Sequence, residues 1–149
     1  MTEANQIEQL YVLAEAIRAA VQARGGERPP PAVFSISLAK YFDYNLSKGG
    51  FGQLLYNLQG QHLDEIEQLL MDADAKVALG YYVRALRACL DDGDGYQAFL
   101  AGDFRSDSSI KDALQLISFE YFEKSVEFSS EVGDFVERSR PTVEAWLRG

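Results

Sequence analysis

Cysteine, histidine and alternating apolar–polar runs are almost missing from this chain, and each shortage removes a class of protein. One cysteine, Cys89, stands in 149 residues. It excludes an internal disulfide and fits a reducing compartment. The one histidine, His62, precedes Glu65 by three residues. A lone His-x-x-Glu supplies two metal ligands, and no cysteine lies near enough in sequence to complete a zinc set. No segment sustains the period-two alternation of a half-buried strand. No apolar run approaches the ~18 residues of a membrane helix. The N-terminus carries Glu3, Glu8 and Glu15 with no basic stretch, so no signal peptide is visible and cytoplasm is the expected compartment.

Positive charge is also short. The chain has 14 Lys and Arg against 23 Asp and Glu, a formal net charge of -9. The excess is uneven: residues 1–60 balance at five of each sign, residues 61–110 hold ten acids and four bases, and residues 111–149 hold eight acids and five bases. A field of this sign repels nucleic acid and membranes and attracts basic partners. Solubility alone also selects acidic surfaces.

What is present reads as helix throughout. Hydrophobic residues make up 47%, with nine Phe and eight Tyr, enough for a sizeable core. The expected fold is all-α, one compact domain of about eight or nine helices: an N-terminal helix over 1–25, a Pro-rich connector over 27–34 and a helical core over 35–149. Asn5 and Glu8 have capping-box spacing for the first helix, which Gly25-Gly26 stops after Arg24, a base suited to its negative end. Ser35 or Ser37 is the expected cap of the second helix, Asp74 of the fifth, and Asp107 or Ser108 of the seventh. Pro141 fits the first position of a last helix bearing Val143, Trp146 and Leu147. Helices three to five are the expected centre. The fifth is apolar nearly all round through Val77, Leu79, Tyr81, Tyr82, Val83, Leu86, Cys89 and Leu90.

The chain turns on residues 45–60. Leu38, Tyr41 and Phe42 before Gly49-Gly50, and Phe51, Leu54, Leu55 and Leu58 after it, each keep helical spacing. Glycine enters φ > 0 without steric cost, so the pair predicts a corner between two helices with Phe51 in the core. Gly49, Gly50, Phe51, Gln53, Tyr56, Asn57 and Gly60 together resemble the Asn-Asn-Gly-Gly-Phe-x-Gln signature of a bacterial all-α domain-of-unknown-function family. Ser47 and Lys48 replace the usual Asn pair, and Ala73-Asp74-Ala75 stands where the family has a Gly-Ala step. The likeness spans roughly Leu38 to Leu90. One branch of that family is an acidic dimer that mimics DNA and sequesters DNA-binding proteins. The resemblance therefore implies a DNA-mimic function, with a homodimer among its assembly states.

Three motifs suggest chemistry, and each has a plainer reading. Ser108-Ser109-Ile110-Lys111 contains the Ser-x-x-Lys of penicillin-recognising enzymes, but their Ser-Asp-Asn and Lys-Thr-Gly elements are absent, so Ser108 reads as a helix cap. Asp92-Gly93-Asp94 begins like a calcium loop, but Tyr96 stands at the fifth-position ligand, Gln97 at the turn glycine and Asp103 at the twelfth-position Glu, leaving an acidic turn. Gly49-Gly50-Phe51-Gly52 lacks the Gly-Lys-Ser/Thr end of a phosphate loop. No catalytic constellation, cofactor site or metal site emerges.

The acids do form a pattern. Glu120, Glu123, Glu127, Glu131, Asp134 and Glu137 are spaced 3, 4, 4, 3 and 3. On one helix they make a stripe whose carboxylates lie about 5.4 Å apart along the axis, similar to phosphates on a DNA strand. Phe122, Val126, Val132 and Val136 then fall on other faces, available for burial. A solvated amphipathic face explains the same spacing. The expected partner-binding residues are Glu120, Glu123, Glu127, Glu131 and Asp134, aided by Asp91, Asp92, Asp94, Asp64 and Glu67. The expected function is non-enzymatic: binding and inhibition of a basic protein, as a DNA mimic on a DNA-binding protein. An immunity protein or antitoxin covering a toxin's basic active site is the alternative. A small hydrolase or metal enzyme is the second; it requires the 91–94 turn, His62 and the 120–137 acids to converge.

Overall fold

The structure, a computed structural model, describes residues 3–149, with side chains from Gln6 onward. Those residues form seven α-helices and no strand: α1 (Glu3–Ala23), α2 (Pro31–Leu58), α3 (Leu63–Asp72), α4 (Lys76–Asp91), α5 (Gly93–Ala101), α6 (Ser109–Glu123) and α7 (Phe128–Arg148). The all-α expectation holds, with fewer helices than the eight or nine expected. Within α2, Gly49 (φ -154°, ψ 16°) and Gly50 (φ 70°, ψ -164°) leave the helical region and kink the element into two helical runs at the expected corner. Pro141 lies within α7 and does not begin a new helix. It removes the donor that would serve the Glu137 carbonyl, but both residues are exposed, so water can serve it instead.

The connector is shorter than expected. Pro30 takes the polyproline conformation (φ -62°, ψ 157°), and Pro31 opens α2, because a ring-fixed φ is already helical and its missing N–H has no partner at that position. Ser35 therefore lies inside the helix, its hydroxyl bonded back to the Ala32 carbonyl at 2.9 Å, and neither Ser35 nor Ser37 caps it. At the other end of the chain α1 is already helical at Glu3, which puts Asn5 inside the helix; the Asn5 side chain lies outside the described residues.

The core centres on α2, not on the expected fifth helix. Thirteen α2 residues are buried, among them Phe42, Phe51, Leu54 and Leu55. The expected fifth helix, α4, buries only Ala78, Tyr82, Ala85 and Cys89 and leaves Leu90 80% exposed. Its other apolar residues, Val77, Leu79, Tyr81 and Leu86, are half-buried against the core. Around α2 lie α1 and α7 on one flank and α6 on another; α3 and α4 pack in sequence, and α5 bridges α4 and α6. Arg24 joins α1 to α7. Its guanidinium donates to the carbonyls of Trp146 (3.0 Å) and Leu147 (3.1 Å) and sits 4.3 Å over the Trp146 ring. It serves the negative end of α7, not of its own helix.

Candidate partner-binding surface

The corner residues are occupied with holding the core. Gly50 has φ +70°, and a Cβ there would come within 2.8 Å of Ser118 Cβ on α6. That close approach lets the Ser118 hydroxyl accept from the Phe51 N–H (2.8 Å) while donating to the Leu114 carbonyl (2.7 Å). Phe51 then packs edge-on against Phe42 and Tyr121. Gln53 and Asn57 both donate to Asn45 Oδ1, at 3.1 and 2.8 Å, and Asn45 donates to the Tyr41 carbonyl at 2.9 Å. The Tyr56 hydroxyl donates to the Gly102 carbonyl (2.7 Å), and its ring packs on Phe99 and Phe104. Gly60 (φ +78°) follows the helix end. The centre of this network, Asn45, was not singled out in the sequence, although a polar residue beside Phe42 and Leu46 on a buried face was the available signal.

The acidic stripe is not continuous. α6 ends at Glu123, Ser125 takes a left-handed conformation (φ 56°), and Glu127 is extended (ψ 131°) before α7 begins. The break lies ahead of Ser129 and Gly133, which are buried in the packed face of α7. Glu120 and Glu123 thus stand on α6, while Glu131 and Asp134 stand on α7. Their environments also differ. Glu120 pairs with Arg84 of α4 at 2.7 Å. Glu131 turns inward: its carboxylate accepts the backbone N–H groups of Val77 (2.8 Å) and Ala78 (3.0 Å). It therefore caps α4 in place of Asp74, which is left-handed (φ 56°) and outside the cap position. Glu123, Glu127 and Asp134 are exposed, and no ion pair engages them among the described residues.

Burial of the neighbouring apolar residues divides the same way. Val132 and Val136 are in the core, as expected. Phe122 and Val126 are exposed instead, and so are Leu116 and Phe119. The core side of α6 is already filled by Ile110, Leu114, Ile117 and Tyr121.

The other expected acids lie at two places, Asp64 and Glu67 at the start of α3 and Asp91, Asp92 and Asp94 at the α4–α5 turn. The Tyr82 hydroxyl donates to the Leu63 carbonyl at 2.8 Å, tying the start of α3 to α4. Burial raises the Tyr82 pKa, and the charges of Glu67 and Asp64 raise it further. Asp64, Asp91, Asp92 and Asp94 are exposed. Asp92 also caps α5, accepting from the Gly95 N–H at 3.0 Å.

The residues with a chemical reading make local contacts. The Ser108 hydroxyl accepts from the Lys111 N–H at 3.1 Å and caps α6. His62 Nδ1 lies 2.7 Å from Glu65 Oε1, and Glu65 also meets Arg28 at 3.1 Å. The His62 hydrogen bond, chiefly, lowers the Glu65 pKa. No group of three His, Cys, Asp or Glu residues among those described is placed to hold a metal. Burial pushes the Cys89 thiol up to about 11. The surface has a groove of about 880 Å³ between α1 and α2, lined by Tyr11, Phe34, Lys40, Tyr41 and Tyr44, and several smaller hollows, among them one of about 120 Å³ where α2 meets the α6–α7 link.

An all-helical fold kinked at Gly49-Gly50, with exposed carboxylates on its surface, defines an acidic α-domain. The chain belongs to the DMP19-like protein family, whose model matches residues 27–148. The match takes in α2 through α7 and leaves α1 outside. No curated protein matches the chain, and no solved structure does. No helix of the described residues is long and apolar enough to cross a membrane.

Proposed function

We propose that the protein binds and blocks a basic protein partner, acting as a DNA mimic on a DNA-binding protein. One observation carries this reading: Glu123, Glu127, Asp134, Asp64, Asp91 and Asp94 are exposed, and no ion pair neutralises them among the described residues. Carboxylates held on helix ends and short links form a fixed field that steers a basic partner and costs little to rearrange on binding. The resemblance of the glycine corner to a family with a DNA-mimic branch supports the same reading. The inward turn of Glu131 shortens the mimic row, so the partner meets separate acidic patches rather than one five-turn helix.

An immunity protein covering a toxin's basic active site uses the same field. The exposed Leu116, Phe119 and Phe122 favour it, because a tight seal between proteins needs apolar contact as well as charge.

Affinity capture from the native host, followed by DNA competition, tests the function. A mimic captures a DNA-binding protein and is displaced by duplex DNA in proportion to its concentration. Capture of a secreted or plasmid-borne toxin supports the immunity reading instead. A partner whose binding is indifferent to both DNA and salt overturns both.

A further inference from the structure

Leu116, Phe119 and Phe122 expose 61, 63 and 51% of their surface on α6, and Val126 follows at 38%. Large apolar side chains gathered on one outer face mark an interaction site. The spacing of Asp112, Leu116, Phe119 and Glu123 is 4, 3, 4, which places them along one line of the helix. Phe122 lies one turn beyond Phe119. With Val126 it walls the pocket of about 120 Å³, whose other lining includes Asp43, Ser47, Ser125 and Glu127. The apolar row therefore runs into an acidic hollow.

Asp43 makes that hollow unusual. Its carboxylate is half-buried and accepts from the Tyr11 hydroxyl at 2.7 Å. No ion pair reaches it among the described residues. Burial raises its pKa, with the Tyr11 hydrogen bond opposing. A partly dehydrated carboxylate without a cation is an unfavourable arrangement that an arriving cation relieves.

The geometry points to the outer face of α6 and the Asp43–Glu127 pocket as one docking site for an amphipathic basic segment of the partner protein. Apolar side chains of that segment pack on Leu116, Phe119 and Phe122, and one Lys or Arg reaches between Asp43 and Glu127. This identification rests on the basic-partner reading above and assigns the surface that carries it. Charge selects the occupant. Asp112, Glu123 and Glu127 edge the row with one base, Lys124, among them, so a second copy would set mostly like charges together and an anionic bilayer would be repelled. A pocket of about 120 Å³ suits the end of one side chain and is smaller than the ~300 Å³ at which small-molecule sites begin.

Three labelled helical peptides of equal length test the site by fluorescence anisotropy: one of Leu and Lys, one of Ala and Lys with the same charge, and one of Leu and Gln without charge. The Leu–Lys peptide should bind at least ~10-fold more tightly than the Ala–Lys peptide. The double variant Phe119→Ser/Phe122→Ser should lose that preference while keeping its melting temperature, since both rings are exposed. Asp43→Asn, which preserves an acceptor for Tyr11, should weaken the Leu–Lys peptide several-fold and leave the Leu–Gln peptide unchanged. Equal affinity for the two Lys peptides overturns the docking site but leaves the basic-partner reading standing. Failure of both Lys peptides to exceed the Leu–Gln peptide overturns both. Sedimentation showing a dimer that the double variant dissociates assigns the face to self-association and overturns the proposal.

Discussion

Glu131, in the first turn of α7, caps a helix that begins 55 residues earlier: its carboxylate oxygens receive the N–H groups of Val77 at 2.8 Å and Ala78 at 3.0 Å. It satisfies two orphan donors of α4 and places negative charge at the positive end of the helix dipole. Glu131→Ala should therefore cost ~1–2 kcal/mol. Glu123→Ala and Glu127→Ala, in solvent, should each change stability by less than ~0.5 kcal/mol. Urea denaturation of the three variants checks this. Equal effects would mean that Glu131 is as solvated as its neighbours.

Gly50→Ala should destabilise by more than ~2 kcal/mol, because strain at φ +70° adds to a Cβ contact with Ser118. Gly60→Ala shares the positive φ (+78°) but meets open space, so it should cost only ~1 kcal/mol. Ser118→Ala leaves the buried Phe51 N–H without its partner, at a cost of ~1–3 kcal/mol. Thermal melts of the three single variants rank the effects.

Asp43 sets a pH dependence. Its folded pKa lies above the ordinary carboxylate value because burial disfavours the charge. The protonated form is thus the better folded one, and Asp43 contributes stability below its unfolded pKa that is lost as pH rises through the folded pKa. Asp43→Asn should raise the melting temperature at pH 7 by a few degrees. The gain should vanish near pH 3. A gain that persists at pH 3 would place its origin outside the Asp43 charge.

Cys89 should resist alkylation in the folded protein. Burial raises its thiol to about 11, so little thiolate exists at neutral pH. Iodoacetamide should label it only after unfolding, a difference that mass spectrometry reads directly.

Charge reversal at Glu123, Glu127 and Asp134 should slow association with a basic partner far more than it speeds dissociation. Association of the wild type should weaken between about 50 and 300 mM salt as the Debye length shortens. Reversal at Glu8, Glu27 and Glu144, also exposed, is the control. Equal loss in both variants would assign the effect to bulk charge.

Local pattern determined the helices, because apolar spacing, Ser108 as a cap, the acidic 91–95 turn and Gly49-Gly50 as a corner act through neighbours a few residues away. Those features were legible, and so was the acidic balance. Three others were not. The Asp74 cap was displaced by Glu131, a residue far off in sequence whose carboxylate arrives only when α7 packs near α4. The 120–137 stripe was cut at Ser125, because the buried faces of α6 and α7 cannot both reach the core on one straight helix. Phe122 was expected to be buried from its hydrophobicity, yet Tyr121 and Ile117 already fill the core side of α6. Periodicity tells which residues share a face of one helix. Which face is covered, and by what, depends on contacts between residues distant in the chain, and only the tertiary structure decided that.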